Sequence, residues 1–458
     1  MTDAAAGPSR RDHHDERTRR LLEAPIVPLL LSLAWPNVVI MVAQAAVGLI
    51  ETWFVAKLGT DALAGMALVF PPVMLMTMIS AGAMGGGISS AVARALGGGR
   101  QLQADAIVLH AIVINICLGV AFSLIFLVFG EPIYRLLGGQ GAELEAALIY
   151  SNTVFAGNIF IWLMNGLASV IRGTGNMLYP ASVICVGVLF LVPVSPLLIF
   201  GSGPVPAMGI AGGGVALIIF YVAGTAAMAW YILAGRSSVR FRWDRLSWVT
   251  LRSILRVGAV SALTSIQTNV TIGGATALVA SVAGVGAVAG FGTGARLEYL
   301  LIPLIFGIGA PLVAMVGTNI GAGNRQRAVQ IALTGGALAF LLTEAIGLAA
   351  AIWPHQWLEL FSADADMIEA GTAYLRIVGP VYGFFGLGLS LYFASQGAGR
   401  LLWPVGSGFL RTTIALIGGW IALRVTGSLN GLFAAIAVAL VAYGAINLLA
   451  VRSGVWFR

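Results

Sequence analysis

Charged residues are scarce in this sequence, at 9% of 458 residues against 59% that are hydrophobic. A soluble domain carries about 25% charged residues, and so few ionised groups cannot cover the apolar surface that this composition would expose. The composition therefore excludes an arrangement of soluble domains and predicts a membrane protein. The net charge of +7 does not indicate a nucleic-acid partner, because the basic residues lie in short segments between apolar runs, where they fix membrane orientation.

Cysteine and lysine are almost absent, and each absence excludes a class of protein. Cys117 and Cys185 lie in apolar runs, which excludes a disulfide framework. The only lysine, Lys57, is not part of a GxxxxGKS or GxxxxGKT phosphate-binding loop, so an ion gradient or a separate ATPase has to supply any work. The histidines show no metal-ligand spacing. We expect no cofactor, and only a coupling ion, H+ or Na+.

Long apolar runs dominate the chain. A membrane-spanning helix needs about 20 mainly apolar residues, whereas a barrel strand has about ten residues of alternating polarity. We predict an all-α polytopic membrane protein with about twelve transmembrane helices. The helices are expected at 26–56, 62–92, 104–129, 147–171, 178–200, 207–234, 254–282, 287–316, 328–352, 372–395, 403–424 and 430–451.

The polar and charged residues 1–25 predict a disordered cytoplasmic tail. The first apolar run is too long for a cleaved signal peptide. The tail and the loops on the same side of the predicted helices carry 19 of the 25 lysine and arginine residues, and basic loops stay in the cytoplasm. We therefore expect a multi-pass protein of the cell membrane (the inner membrane in a Gram-negative bacterium) with both termini in the cytoplasm.

The two halves of the sequence resemble each other at an offset of 224 residues. IRGTGNMLYP at 171–180 and SQGAGRLLWP at 395–404 share two glycines, a leucine and a proline. The duplication predicts six-helix lobes at 26–234 and 254–452, related by a pseudo-two-fold axis along the membrane normal. We interpret the basic segment 235–253 as a linker that lies on the anionic cytoplasmic leaflet.

Several segments, in order, carry a family resemblance. They are Pro36 of the first helix, GLIETWFVAKLGTDALAG (48–65), ARALGGG (93–99), IRGTGN (171–176), SPLLIFGSGPVPAMGIAGGGVAL (195–217), GARLEYLLIPLIFGIG (294–309), GAGN (321–324) and QGAGR (396–400). Together they resemble the multidrug and toxic compound extrusion (MATE) transporters. The resemblance implies two six-helix lobes around a central cleft, and export of organic cations or similar amphiphiles in exchange for protons or sodium.

Three carboxylates lie inside predicted membrane helices: Glu51, Glu298 and Glu344. Ionisable groups at membrane depth are costly and mark functional sites by default. A buried carboxyl group can bind and release a proton, so all three are candidates for cation coupling. The alternatives are a position beside Lys57 at the membrane interface for Glu51, and an interhelical salt bridge for Glu298.

The resemblance singles out Glu51, because the family usually has an aspartate for cation coupling in this segment. The Asn and Asp-Pro pattern that the family often shows in the fifth helix is replaced here by Leu191, Ser195 and Pro196. A sodium site needs several oxygen ligands, whereas protonation needs one carboxyl group. On this argument we favour proton coupling.

Polar and flexible side chains on the predicted helices are candidates for lining a substrate cleft. Each has an alternative role in helix–helix hydrogen bonding or packing, and methionine offers a flexible surface that suits promiscuous binding. The candidates are Gln44, Asn158, Asn165, Gln267, Asn269, Tyr382, Met74 and Met78.

These features predict a monomeric, secondary active multidrug efflux antiporter that works by alternating access in contact with membrane lipids. It would export organic cations or amphiphilic drugs in exchange for protons or sodium, with no catalytic residues and no metal. A lipid-linked oligosaccharide flippase is the alternative of related architecture, although it would need a wide cationic cavity and arginine is scarce inside the predicted helices. An intramembrane enzyme acting on lipid is the alternative of another class.

Overall fold

Each long apolar run forms a helix, because a helix satisfies its own backbone N–H and C=O groups where no water is available. The computed structural model describes residues 10–457, without the side chains of residues 10–15 and 45–47. This part of the chain contains no strand. Its helices are α1 Arg10–Glu23, α2 Ile26–Ala56, α3 Thr60–Gly97, α4 Gln101–Leu136, α5 Gly141–Ala156, α6 Asn158–Gly173, α7 Leu178–Phe200, α8 Ile210–Leu233, α9 Trp248–Ala280, α10 Val285–Gly321, α11 Arg325–Ile352, α12 Pro354–Leu358, α13 Ala365–Ala398, α14 Leu402–Thr426 and α15 Leu429–Arg452.

Up to twelve spans are found within residues 10–457. Eleven helices are long and apolar enough to cross a membrane, and α5 with α6, which are bent by 48° to each other, make a twelfth where the pair counts as one span. The bend lies at Gly157, where a Cβ would come 2.7 Å from Ile218 Cδ1 on α8. The prediction of an all-α membrane protein with about twelve transmembrane helices is confirmed for this part of the chain.

The N-terminal segment differs from its prediction. Residues 10–23, expected to belong to a disordered tail, form α1, whereas residues 1–9 lie outside the described residues. Leu21 of α1 is only 4% exposed and packs at Gly175, where a Cβ would lie 2.8 Å from Leu21 Cδ1. This apolar contact holds the helix, and the polar composition of the segment does not reveal it.

The chain divides into two compact units. The first comprises Met1–Ala24 and Trp35–Gly258, and the second comprises Pro25–Ala34 and Ala259–Arg458. The borders differ from the predicted ones in two places, because the start of α2 belongs to the second unit and the linker 235–253 belongs to the first.

Hydrogen bonds to α4 explain why the linker belongs to the first unit. Asp105 Oδ1 accepts a hydrogen bond from the backbone N–H of Arg240 at 2.9 Å. His110 Nε2 accepts one from the backbone N–H of Ser247 at 2.8 Å. A linker outside regular structure has no neighbouring backbone to satisfy these donors, and side chains of α4 satisfy them instead.

The first unit is held by contacts of α3 with α5, α4 with α6 and α7 with α8. Trp162 and Phe155 are fully buried among these helices, and Phe126 stacks on Phe155 with ring centroids 4.2 Å apart. Within α3, residues Met78–Met84 form a π-helical stretch. Such stretches often occur at functional sites.

In the second unit, α13 contacts α10, α11 and α15. Glycines allow the close approach of α11 to α13, since a Cβ on Gly379 would lie 2.6 Å from the carbonyl oxygen of Gly347. Small residues at such contacts let membrane helices pack by van der Waals forces, without a hydrophobic driving force between them. The close packing fixes the acids of α10 and α11 against their neighbours.

Candidate functional site

Glu51 lies on α2 in the first unit, about one turn before the helix ends at Ala56. It is 7% exposed, and its Oε1 has no hydrogen-bond partner among the described residues. Lys57 does not pair with it, because Lys57 Nζ lies over the ring of Trp53 at 3.5 Å. An unpaired buried charge is costly, so Glu51 stays a candidate for binding a proton or another cation.

Two tyrosines on other helices of the first unit lie close enough to this carboxyl to interact with its charge. Tyr150 on α5 and Tyr221 on α8 lie within electrostatic range of Glu51. Ser195 on α7 is 1% exposed, and its Oγ is also without a hydrogen-bond partner in the described chain. Three helices thus present hydroxyl groups in the unit that holds Glu51.

Glu298 forms an ion pair with Arg411 in the second unit. Arg411 Nη2 donates to Glu298 Oε1, and the two side chains are 8% and 4% exposed, respectively. The guanidinium also lies over the rings of Phe385 at 5.0 Å and Tyr443 at 5.7 Å. The interhelical salt bridge, which was the alternative for Glu298, is therefore the arrangement found, between α10 and α14.

Glu344 on α11 caps a broken helix in the second unit. Gly379–Val381 form a short 3-10 turn within α13, where Pro380 has no N–H to donate. Glu344 Oε2 accepts a hydrogen bond from the backbone N–H of Gly383 at 2.7 Å. The first N–H groups of a helix lack partners within it, and a negative charge there is favourable, so Glu344 has a structural partner.

Two predicted cleft residues of the first unit join helices. Asn158 Nδ2 donates to the carbonyl of Gly119 at 3.0 Å, which ties α6 to α4. Asn165 Nδ2 donates to Ser80 Oγ at 2.6 Å, which ties α6 to the π-helical stretch of α3. Both contacts correspond to the helix–helix alternative.

The other first-unit candidates lie on more open faces. Gln44 on α2 is exposed, Met74 on α3 is 46% exposed, and Met78 at the start of the π-helical stretch is half-buried. These three side chains remain candidates for substrate contact.

The candidates of the second unit mostly have protein partners. Gln267 Nε2 donates to the carbonyl of Val405 at 3.3 Å. The hydroxyl of the fully buried Tyr382 lies 3.4 Å from that of Tyr374. Asn269 is exposed and donates to a carbonyl one turn earlier on α9. The predicted cleft residues divide between the two units.

A family model decides what kind of protein this is. The model MatE matches residues 36–197 and 262–421, one match in each half of the chain. The chain belongs to the MatE family. As a MATE protein it is a multi-pass membrane transporter and not an enzyme.

Relatives of this MATE chain include transporters with different named substrates. It is 28% identical over 380 residues to the FAD transporter of Shewanella oneidensis, covering 82% of each chain. It is 24% identical over 384 residues to the "Probable multidrug resistance protein NorM" of Thermotoga maritima, covering 82% of this chain and 81% of the relative. Its fold is that of a MOP superfamily transporter from Pyrococcus furiosus, with a TM-score of 0.86 and 23% identity over 95% of this chain and 97% of that chain.

One charged residue of this MATE chain was not singled out by the sequence. On sequence alone, Arg172 counts among the basic residues of the loops. In the structure it lies in the last turn of α6 and is 7% exposed. Its Nε has no hydrogen-bond partner, and no carboxylate of the described chain pairs with it. The penalty for an unpaired buried ion is several kcal/mol, and a helix C-terminus returns at most about 2 kcal/mol of it. Nothing in the segment IRGTGN distinguishes a buried arginine from an exposed one.

Proposed function

We propose that this MATE transporter is a proton-coupled antiporter that exports organic cations or amphiphilic drugs, with Glu51 as the coupling carboxyl. One observation carries the proposal. Of the three acids predicted to couple, Glu298 is paired with Arg411 and Glu344 caps α13, whereas Glu51 Oε1 has no hydrogen-bond partner among the described residues. A buried carboxylate without a partner is the group whose charge changes most easily with proton binding.

Exchange follows when the proton and the substrate favour different states of the transporter. A ligand shifts a conformational equilibrium only by its difference in affinity for the two states. A proton on Glu51 removes a negative charge that would otherwise attract an organic cation. Binding of the proton and binding of the cation then exclude each other, so the two species move in opposite directions.

The residues that replace the Asn and Asp-Pro pattern of the family favour a proton over sodium. Sodium, a hard cation, needs several oxygen ligands. Leu191 offers no side-chain oxygen, Pro196 offers none either, and Ser195 offers one hydroxyl. One carboxyl group is sufficient for a proton.

Transport by purified protein in liposomes tests the proposal. A fluorescent organic cation is followed while a pH gradient or a sodium gradient is imposed separately. We expect transport with the pH gradient alone, and its loss in Glu51→Gln, which cannot exchange a proton. Glu344→Gln is the matched control, because glutamine keeps an oxygen for the N–H of Gly383 and transport should continue.

Each other outcome has a definite meaning. Transport driven by sodium alone would replace the proton by sodium as the coupling ion. Transport that persists in Glu51→Gln under a pH gradient would refute the role of Glu51. Movement of no cation under either gradient would refute cation export and direct the search to lipid-linked substrates.

FAD is the second candidate substrate. The observation that favours it is the 28% identity, over 82% of each chain, to the FAD transporter of Shewanella oneidensis. The same vesicles can be loaded with FAD, whose own fluorescence reports its movement. Transport of FAD without transport of the cation would change the substrate class and leave the test of Glu51 intact.

A further inference from the structure

Arg172 carries a permanent positive charge in a buried place of the first unit. A guanidinium group does not lose its proton in proteins, and this one is 7% exposed. Its Nε has no hydrogen-bond partner in the described chain, and the guanidinium takes part in none of the ion pairs or cation–ring contacts found among the described side chains. Buried charges in proteins are paired or bind an ion. We therefore expect a counter-charge for this arginine, and the described residues do not supply one.

The end of α6 does not account for the charge. The backbone carbonyl of Arg172 accepts a hydrogen bond from Gly175 N–H at 2.9 Å, in a turn where Gly175 has a φ of +81°. The hydroxyl of Thr174 is occupied by the carbonyl of Ile171 at 2.7 Å. The partial negative charge of a helix C-terminus offsets only part of the cost of a buried ion.

A second unpartnered donor lies at the same helix contact. Ser89 on α3 is 5% exposed, and its Oγ has no hydrogen-bond partner in the described chain. Gly173, which follows Arg172, packs on Ser89, since a Cβ on Gly173 would lie 2.7 Å from the Ser89 carbonyl oxygen and 3.1 Å from its Cα. The contact of α3 with α6 thus holds two buried polar atoms, Arg172 Nε and Ser89 Oγ, that have no hydrogen-bond partner among the described residues.

The duplicated half provides an internal comparison. At the offset of 224 residues, Gln396 on α13 is the counterpart of Arg172. Gln396 is fully buried, and its Nε2 donates to Ser261 Oγ at 2.9 Å. The second half therefore fills this position with a neutral side chain that has a protein partner. The packing of the repeat does not require a charge, and the arginine of the first half needs another explanation.

We propose that Arg172, together with Ser89, binds a phosphate group at the end of the first unit where α1 and the linker lie. A planar guanidinium matches two phosphate oxygens at once, and a serine hydroxyl donates to a third. The phosphate is either that of an anionic lipid headgroup or free phosphate from solution. The site is separate from Glu51 and does not depend on which ion or substrate is transported.

Thermal unfolding of the full-length protein tests the site. The protein is measured in nanodiscs of phosphatidylcholine, in nanodiscs that also contain phosphatidylglycerol, and with inorganic phosphate added against sodium chloride of equal ionic strength. We expect the unfolding temperature of the wild type to rise with one of these phosphates. Arg172→Gln should lose that rise, and without phosphate it should unfold no earlier than the wild type, because it removes an uncompensated buried charge.

Two further variants keep the test decisive. Arg172→Lys keeps the charge without the two-pronged geometry, so it should respond only at higher phosphate concentration. Arg135→Gln is the matched control, because the side chain of Arg135 is 61% exposed and pairs with Glu131 on the surface. The unfolding temperature of this variant should respond to phosphate like that of the wild type. If Arg172→Gln does not fold, the comparison of the wild type with Arg172→Lys decides.

The outcomes separate the two sources and the structural alternative. A rise with phosphatidylglycerol alone supports a lipid headgroup, and a rise with inorganic phosphate supports free phosphate. No rise in the wild type would overturn the proposal. An equal rise of the unfolding temperature in Arg172→Gln would also overturn it. The same holds if this variant unfolds earlier than the wild type without phosphate and still responds to phosphate as the wild type does. In both cases the arginine contributes only to packing.

Discussion

Glu298 and Arg411 lie 113 residues apart in the sequence and form an ion pair inside the second unit. The sequence identified Glu298 as a costly charge within a span, and it left cation coupling and a salt bridge as alternatives. It could not choose between them, because the partner is set by the packing of α10 against α14. The same limit applies to Arg172, since the six residues IRGTGN do not show that its side chain is only 7% exposed.

The ion pair makes a prediction at the level of single residues. Glu298→Gln leaves Arg411 buried without a counter-charge, so we expect the free energy of unfolding to fall by about 3–5 kcal/mol. Arg411→Met should have a similar effect. The double variant should recover much of the loss, because it leaves no uncompensated charge buried.

Unfolding of the wild type, the two single variants and the double variant in one detergent gives the coupling energy of the pair. Additive effects of the two substitutions would contradict a structural ion pair. Glu298 would then be free for cation coupling, and its variant would belong in the transport assay beside Glu51→Gln.

The helices themselves were predictable from the length of the apolar runs. The prediction of a first helix at 26–56 agrees with α2, since a run of this kind in a membrane has no alternative to a helix. The irregularities were not predictable. The bend between α5 and α6 depends on Ile218 packing at Gly157, and α1 depends on the contact of Leu21 at Gly175, so both need the neighbouring helix to be in place.

Close helix contacts make a prediction at the level of elements. On α10, a Cβ at Gly290 would lie 2.8 Å from the backbone nitrogen of Gly371 on α13, whereas a Cβ at Gly292 would meet nothing within 4 Å. Overpacking costs about 1–3 kcal/mol, so Gly290→Ala should lower the free energy of unfolding by this amount. Gly292→Ala should be neutral or stabilising by up to about 1 kcal/mol, because alanine favours the helix.

Thermal unfolding of the two glycine variants in the same detergent checks this pair. The two sites are two residues apart on one helix, so an effect of alanine on helix propensity alone would be equal at both. Equal unfolding temperatures would therefore contradict the close contact of α10 with α13.

The whole chain shows which level of organisation the sequence carries. The duplication at an offset of 224 residues predicted two halves, and the family model matches once in each of them. The predicted borders, 26–234 and 254–452, differ from those of the two compact units, which depend on hydrogen bonds such as that from Arg240 to Asp105 on α4. The length of the apolar runs and the positions of the basic residues can be read from the sequence. The unit to which a segment belongs depends on its contacts in the folded protein.

The number of spans makes a prediction for the whole molecule. Counted with α5 and α6 as one span, the spans number twelve, which is even, so we expect both termini on one side of the membrane, and the basic residues predict that this side is the cytoplasm. Single cysteines at exposed positions can report the side in a background with Cys117→Ser and Cys185→Ala. An impermeant maleimide added to intact cells should label Ser202→Cys between α7 and α8, and should label Arg19→Cys and Ser453→Cys only after the membrane is opened.

Labelling of both terminal cysteines in intact cells would reverse the orientation. Labelling of only one would require an odd number of spans, and α5 with α6 would then enter and leave the membrane on the same side.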